Sequence, residues 1–405
     1  MDFDGVNVRR GTAVWTAPGM PALLGMTALG FSGHAVLFPT VPLWVVDSGG
    51  DPASAGAVNA VLMLCTVLMQ LFVPLALRRI GWNATLTAGM ILLGLPSLLH
   101  LLPIHIGGAL ALAIPRGFGF GILTVCGAAA VASLVNPARL GRAIGAYGLA
   151  IAGPHALLLP VAPWLAQNAG FALVFVIGAG PLIAVLFTRG VARHLARPGT
   201  RVRSTPRTVH SLQRARAVRP LVPPMLILLA VTAAGGALLT FAPQMMPEPG
   251  LVFAGLLTFT VIAAVSRWLA GSFADRYGTR PFVAPAICVT AAGVLLIAWA
   301  IGQAEHSHSA ALIFGMAAVG VAYGALQNFT LVDSFAAVGR DKHATASAVW
   351  NIGFDAGTGA GAMVIGAIAT QTGFSTALLA AAVLSVLTLP LAACVGRHYG
   401  QNGGT

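Results

Sequence analysis

"GSFADRYGTR", Gly271 to Arg280, places three charges of both signs within ten residues of a chain that is only 8% charged. Apolar runs flank it, from residue 250 to 273 and from 282 to 302. About 20 mostly apolar residues carry a helix across the hydrocarbon core of a bilayer, so the stretch reads as a tight polar turn between two membrane spans. The same reasoning extends along all 405 residues: runs at 20–46, 54–77, 83–103, 106–134, 142–164, 168–188, 221–243, 250–273, 282–302, 310–334, 345–370 and 374–394 qualify. Backbone amides in lipid have no water to bond. These segments are therefore expected to be helices, with their Gly and Pro residues at close contacts and kinks.

Composition points the same way. The chain is 57% hydrophobic with a mean hydropathy of +0.87, whereas a soluble domain is roughly 45–50% apolar even with Gly included. Met1 to Arg10 holds two Asp and two Arg, and the first apolar run is as long as the later ones, so the first helix is expected to be retained rather than cleaved as a signal. Cys65, Cys126, Cys288 and Cys394 stand singly in apolar runs, which fits neither a disulfide framework nor metal-ligand spacing. The net charge of +12 sits in short gaps between apolar runs rather than on a soluble face, which argues against nucleic acid as a partner and for membrane topology.

Positive residues gather on the cytoplasmic side of membrane proteins. With the N-terminus inside, twenty of the twenty-two Lys and Arg fall in cytoplasmic segments: Arg9, Arg10, Arg78, Arg79, Arg139, Arg142, nine arginines from Arg189 to Arg219, Arg276, Arg280, Arg340, Lys342 and Arg397. The other two, Arg116 and Arg267, lie within spans. The expectation is a multi-pass protein of a bacterial cytoplasmic membrane, embedded in the lipid bilayer as a monomer with both termini inside. The polar segment from Arg189 to Pro220 divides the spans six and six. It separates an N-terminal bundle (1–188) and a C-terminal bundle (220–405) by a basic linker (189–219), which reads as a solvated loop beside anionic headgroups.

The two bundles repeat. Gln70, Pro74, Arg79 and Gly81 correspond to Arg267, Gly271, Arg276 and Gly278 at an offset of 197, and "GFGFG" from Gly117 corresponds to "GVAYG" from Gly320 at 203. An even number of spans per copy makes the copies parallel, related by an axis along the membrane normal. The fold class is thus all-α: twelve transmembrane helices in two pseudo-symmetric six-helix bundles.

Twelve spans, a basic central loop and "RWLAGSFADRYGTR" after the eighth span together resemble the major facilitator superfamily over essentially the whole chain. The family pattern Gly-x-Leu-Ala-Asp-Arg-x-Gly-Arg is matched by Gly271, Phe273 in place of Leu, Ala274, Asp275, Arg276, Gly278 and Arg280. In the first copy Pro74, Leu77 and Arg78 replace Gly, Ala and Asp. "PRGFGFG", Pro115 to Gly121, and "GLAIAGPHALL", Gly148 to Leu158, are similar to elements of the drug/proton antiporter branch. Arg116 stands next to the Gly series rather than four residues before it, and the final glycines of the second element are missing. The resemblance implies a transporter that works by alternating access and needs no cofactor.

Ionisable groups deep in a bilayer need a partner or a watery cavity. Asp355 stands in "NIGFDAGTGAG" with Asn351 and Thr358 at helical spacing, giving a polar face on the eleventh span. Two roles are open to it: a carboxyl that carries protons across, or a structural carboxylate capped by Asn, Thr or Arg. Arg116 keeps its charge, so it either holds an anionic substrate group or a carboxylate such as Asp355, or braces helix packing. His34 and His155 read as proton stops or as packing residues. Gln327 and Asn328 in "YGALQNF" read as substrate contacts or as interhelical bonds. "EHSH", Glu305 to His308, offers potential ligands on one short loop without a closed shell, and no metal is expected there. No nucleophile with its base and no phosphate-cradling loop is discernible, so neither an enzyme nor an ATP-driven pump is expected.

The reading is secondary transport of a small molecule, coupled to protons and directed outward. Its rivals are an importer or facilitator of a polar metabolite and a non-transporting membrane sensor or scaffold. Pseudo-symmetry makes Arg267, Gly271, Asp275, Arg276, Gly278 and Arg280 a conformational latch, with Asp275 facing Arg139, Arg142 and the positive N-terminus of the fifth span. In the reversed first copy Arg78 would meet Asp341 of "GRDKH". A charge swap checks this: Arg78→Asp and Asp341→Arg each lower transport and together restore it, whereas a merely basic loop gives no rescue.

Overall fold

A computed structural model of the chain describes residues 17–135, 140–195, 219–246, 248–303, 308–338 and 342–395. Among them are twelve helices long and apolar enough to cross a membrane, and no strand. The first six are α1 (Met20–Asp47), α2 (Pro52–Arg79), α3 (Gly81–Leu99), α4 (Ile106–Leu134), α5 (Leu140–Ala169) and α6 (Phe171–Leu195). The second six are α7 (Val222–Met245), α8 (Pro249–Tyr277), α9 (Arg280–Gly302), α10 (Ser309–Ala336), α11 (His343–Thr372) and α12 (Phe374–Ala392). Two are interrupted where proline denies the backbone a donor: α6 breaks between Gly178 and Pro181, and α12 at Thr388, just before Pro390. At the start of α2, Asp51 accepts bonds from the Ser54 backbone N–H at 2.8 Å and its hydroxyl at 2.6 Å, which hold its carboxyl below the usual range.

Helices within each set of six pack on one another, α2 and α3 on α4 and α1 on α5 and α6, and correspondingly α8 and α9 on α10. The sets meet through α2 with α11, α5 with α8 and α1 with α7. α1 and α7 are the most enclosed, lined almost throughout by buried residues. Small residues make such crossings possible. A side chain at Gly361 of α11 would run into the Ala233 carbonyl of α7, so the two backbones touch there.

The described Arg and Lys residues outside the spans' interiors (among them Arg78, Arg79, Arg142, Arg189, Arg193, Arg276, Arg280 and Lys342) all lie at helix ends on one face, the basic face. The two sets are clamped at the opposite face. There the Ala53 N–H of α2 donates to Thr370 Oγ1 of α11 at 2.9 Å, Gly56 lies against the Ala362 carbonyl, and Gly366 against the Pro52 carbonyl. Deeper in, Asn59 Nδ2 donates to the Phe38 carbonyl of α1 and to Thr240 Oγ1 of α7, both at 2.9 Å. On α5, toward the basic face, a side chain at Gly145 or Gly148 would meet nothing within 4 Å.

These contacts predict opposite responses from two glycines. Gly361→Val should lower the thermal midpoint of the purified protein by several degrees, reflecting an overpacking cost of about 1–3 kcal/mol. Gly148→Ala, in open space, should leave that midpoint unchanged or slightly raised.

Candidate functional site

Five helices bring polar side chains to one depth. Gln70 of α2, Thr124 of α4, Arg267 of α8, Gln327 of α10 and Asp355 of α11 each stand nine to twelve residues from their helix's basic-face end, about 14–18 Å at 1.5 Å per residue. Asp355 is buried, 5% exposed, and its Oδ2 accepts from Gln70 Nε2 at 2.7 Å. Of the side-chain hydrogen bonds between the two sets among the described residues, this one lies nearest the basic face. The same Gln70 nitrogen approaches Thr124 Oγ1 at 3.4 Å. Across the site Arg267 Nη1 donates to Gln327 Oε1 at 2.8 Å, and its guanidinium lies 5.8 Å over the ring of Trp350. Trp350 Nε1 in turn donates to Thr330 Oγ1 at 3.1 Å. Tyr323 fills the space between, its ring packed against Phe259 and Phe354, within electrostatic reach of both Arg267 and Asp355.

The repeat explains this pattern. Gln70 and Arg267 are 197 residues apart and Thr124 and Gln327 are 203 apart, the two offsets of the duplicated unit. The Gln70–Thr124 contact and the Arg267–Gln327 bond are thus the same interaction in the two copies, with the cation present in one only. Sequence reasoning placed Arg267 in the latch and left Gln70 out. The offset that pairs them was the signal available.

The polar face expected on α11 divides. Asp355 turns to α2 and reaches the other set. Asn351 Nδ2 bonds the Ser347 carbonyl of its own helix at 2.8 Å, and Thr358 bonds the Phe354 carbonyl at 2.9 Å with Gly236 of α7 packed against it. Thr358 lies about 60° round the helix from Asp355, enough to give it a different neighbour. Gln327 is committed to Arg267, and Asn328 faces Gly271 of α8.

A second group lies in the first set. The His34 ring of α1 stacks on Phe120 of α4 with centroids 3.8 Å apart and planes 8° apart. Phe31 meets Phe120 edge-on at 5.4 Å, and His155 of α5 lies 5.8 Å from His34, its Nδ1 paired with the Ile151 carbonyl at 3.0 Å. Arg116, one turn before Phe120 on α4, is fully buried, and none of its three side-chain nitrogens has a hydrogen-bond partner.

The charged turn that opened the sequence reading is tied into its own set. Gly278 ends α8 with φ 73°, a conformation suited to glycine, and buried Thr279 donates to Asp333 Oδ1 of α10 at 2.6 Å. Asp275, Arg276, Arg280, Arg142 and Arg78 are exposed, with no ion pair among the described residues. Arg139 and Asp341, the other expected latch residues, lie outside the described residues, as do Glu305 to Ser307 of the "EHSH" loop. The Thr279–Asp333 bond has no signature in sequence spacing, because its partners are 54 residues apart on different helices.

A family model described as Major Facilitator Superfamily matches residues 23–335 and 246–399. Among solved structures, a bacterial homolog of the human lysosomal transporter Spinster, inward-facing and occupied, is 15% identical with a TM-score of 0.78, over 96% of this chain and 98% of that one. The nucleoside transporter NupG is 17% identical with a TM-score of 0.69, over 93% and 99%. A peptide transporter, POT, in complex with alafosfalin is 14% identical with a TM-score of 0.74, over 94% and 95%. At such identities the likeness is one of fold. No curated protein matches the chain by sequence.

The cross-set bond predicts strong coupling between its partners. Gln70→Leu strands a buried carboxylate and should cost about 1–3 kcal/mol of stability. Gln70→Leu with Asp355→Leu should cost less than the two single changes added together, by about 1 kcal/mol or more in a double-mutant cycle on unfolding.

Proposed function

Because the chain belongs to the major facilitator superfamily, we propose that it is a proton-coupled secondary transporter that exports a small molecule by alternating access, with Asp355 as the coupling carboxyl. One observation carries the reading: a buried carboxylate in the membrane interior bonds a side chain of the opposite six-helix set at 2.7 Å. A charged carboxylate accepts an amide hydrogen bond more strongly than a neutral one. Taking up a proton at Asp355 therefore loosens α2 from α11, and losing it draws them together.

Positive-inside topology assigns the basic face to the cytoplasm. On this reading the clamp between α2 and α11 closes the outer side, and the state described is the inward-facing one of the cycle. In this state Asp355 gives its proton to the cytoplasm and takes the Gln70 amide while substrate enters. On the outer side substrate leaves, the carboxyl is protonated again, and the halves return. Arg267, held over Trp350 and bonded to Gln327, is a fixed charge that keeps Tyr323 and Asp355 in one electrostatic unit. The exposed turn Asp275–Arg280 and Arg142 meet when the cytoplasmic side closes.

Export rather than import of a polar metabolite is favoured because Gln327, the buried amide expected to line a polar cavity, already serves Arg267. Thermal-shift screening of the purified protein identifies a compound that binds, and flux of that compound in proteoliposomes under an imposed pH gradient tests the coupling. Asp355→Asn should lower gradient-driven flux at least about tenfold while leaving exchange of substrate for substrate in place. Undiminished proton-driven flux in that variant would falsify the assignment.

A further inference from the structure

Arg116 is a buried positive charge that no described group of its own bundle balances. Its side chain is 0% exposed and its Nε, Nη1 and Nη2 are all without partners. Arg116 and Phe120 share one face of α4, and Phe120 stacks on His34, so the guanidinium is directed toward α1 one turn beyond that stack. Its charge reaches His34, and it also reaches His100, just past the end of α3, whose imidazole is pushed down to about 4 by burial first and by Arg116 next.

The described acids of the chain are elsewhere. Up to residue 188 the only carboxylates are Asp2, Asp4, Asp47 and Asp51, and the last two sit at helix ends. Asp355 is engaged by Gln70 and stands twelve residues from the basic face, while Arg116 stands eighteen. At 1.5 Å per residue they are separated by about 9 Å in depth alone. A guanidinium does not lose its proton in a protein, and an uncompensated buried charge is strongly unfavourable. Among the described residues no acid balances it, and an anion from outside the chain would.

The ring cluster one turn along α4 from the cation describes the rest of the ligand. Phe31, Phe120, His34 and His155 present rings from α1, α4 and α5, and no further charged side chain accompanies them. A planar guanidinium fork matches a carboxylate with two parallel bonds, and the rings suit a flat apolar body. His155 is the half-buried member of the group. We infer that Arg116 anchors a substrate subsite for a small organic monoanion, a carboxylate on an aromatic or similarly flat body that lies against Phe31, Phe120, His34 and His155. The inference rests on the transporter reading and names the class of its cargo.

The test compares charge at constant shape. Benzoate, phenylacetate and 1-naphthoate are each titrated beside the matching amide into the purified full-length protein, with thermal midpoint as the readout. At least one acid should raise the midpoint, with its amide weaker by about tenfold or more. Arg116→Gln should remove the shift and Arg116→Lys, which keeps the charge and loses the fork, should reduce it. Amides as effective as acids, an undiminished shift in Arg116→Gln, or no shift with any of the three acids would overturn the subsite. If Arg116→Gln does not give a single folded species on size exclusion, Arg116→Lys decides, and an acid preference as large as wild type's there also overturns it. Proton-driven flux lost in Asp355→Asn without acid binding in wild type would leave the coupling role standing and the subsite refuted. Acid binding with undiminished flux would do the reverse.

Discussion

A charge inside a bilayer has to be matched by another group, and in this protein the matches are few enough to organise everything around them. The chain has ten acids, and among the described residues only Asp333 and Asp355 are buried. Asp333 is three residues from the end of α10 and takes the Thr279 hydroxyl, so it anchors a turn. Asp355 is twelve residues inside α11 and takes the Gln70 amide of the other six-helix set. That single bond joins the chemistry of a proton to the packing of two halves, since a protein amide supports a carboxylate only while the two helices stay close.

The rest of the interface allows that bond to matter. On the face away from the arginines, α2 and α11 meet backbone to backbone through Gly56 and Gly366, a close-packed seam. Such packing is either made or broken, because interiors at this density do not deform continuously. Between the seam and the basic face stands the layer of Gln70, Asp355, Arg267 and Gln327. Polar contacts there can exchange partners at little cost compared with the seam. A transporter needs this division: a rigid clamp that sets two states and a soft layer that a proton or a ligand can bias.

The duplicated unit has kept its scaffold and changed its charges. Gln70 and Arg267 occupy equivalent positions and make equivalent contacts to α4 and α10, yet one is neutral and the other cationic. Phe120 and Tyr323 are likewise equivalents 203 residues apart. Phe120 carries the stacked His34, whereas Tyr323 packs against Gly235. One copy therefore holds an imidazole and an unbalanced guanidinium, and the other holds the carboxyl. In the proposed cycle, symmetric helices with asymmetric charges would let one half respond to the substrate and the other to the proton.

The sequence by itself determined the spans and their grouping, because lipid demands long apolar helices whatever their neighbours are. Even its errors were local: the sixth span, expected at 168–188, runs on to Leu195 because Arg189 and Arg193 can extend from a helix's last turns to the interface without leaving the helix. It also picked out Asp355, Arg116, His34 and His155, since an ionisable residue in an apolar run is conspicuous. It did not find Gln70, a neutral side chain near a helix end, nor the bond from Thr279 to Asp333. Only the tertiary structure decided which of Asp355, Asn351 and Thr358 crosses to the other half, that Arg267 belongs with Gln327 and Trp350, and that Arg116 stands alone. Spacing along a helix fixes the face a residue occupies to within tens of degrees, but the identity of what it meets depends on which helix has been packed against that face.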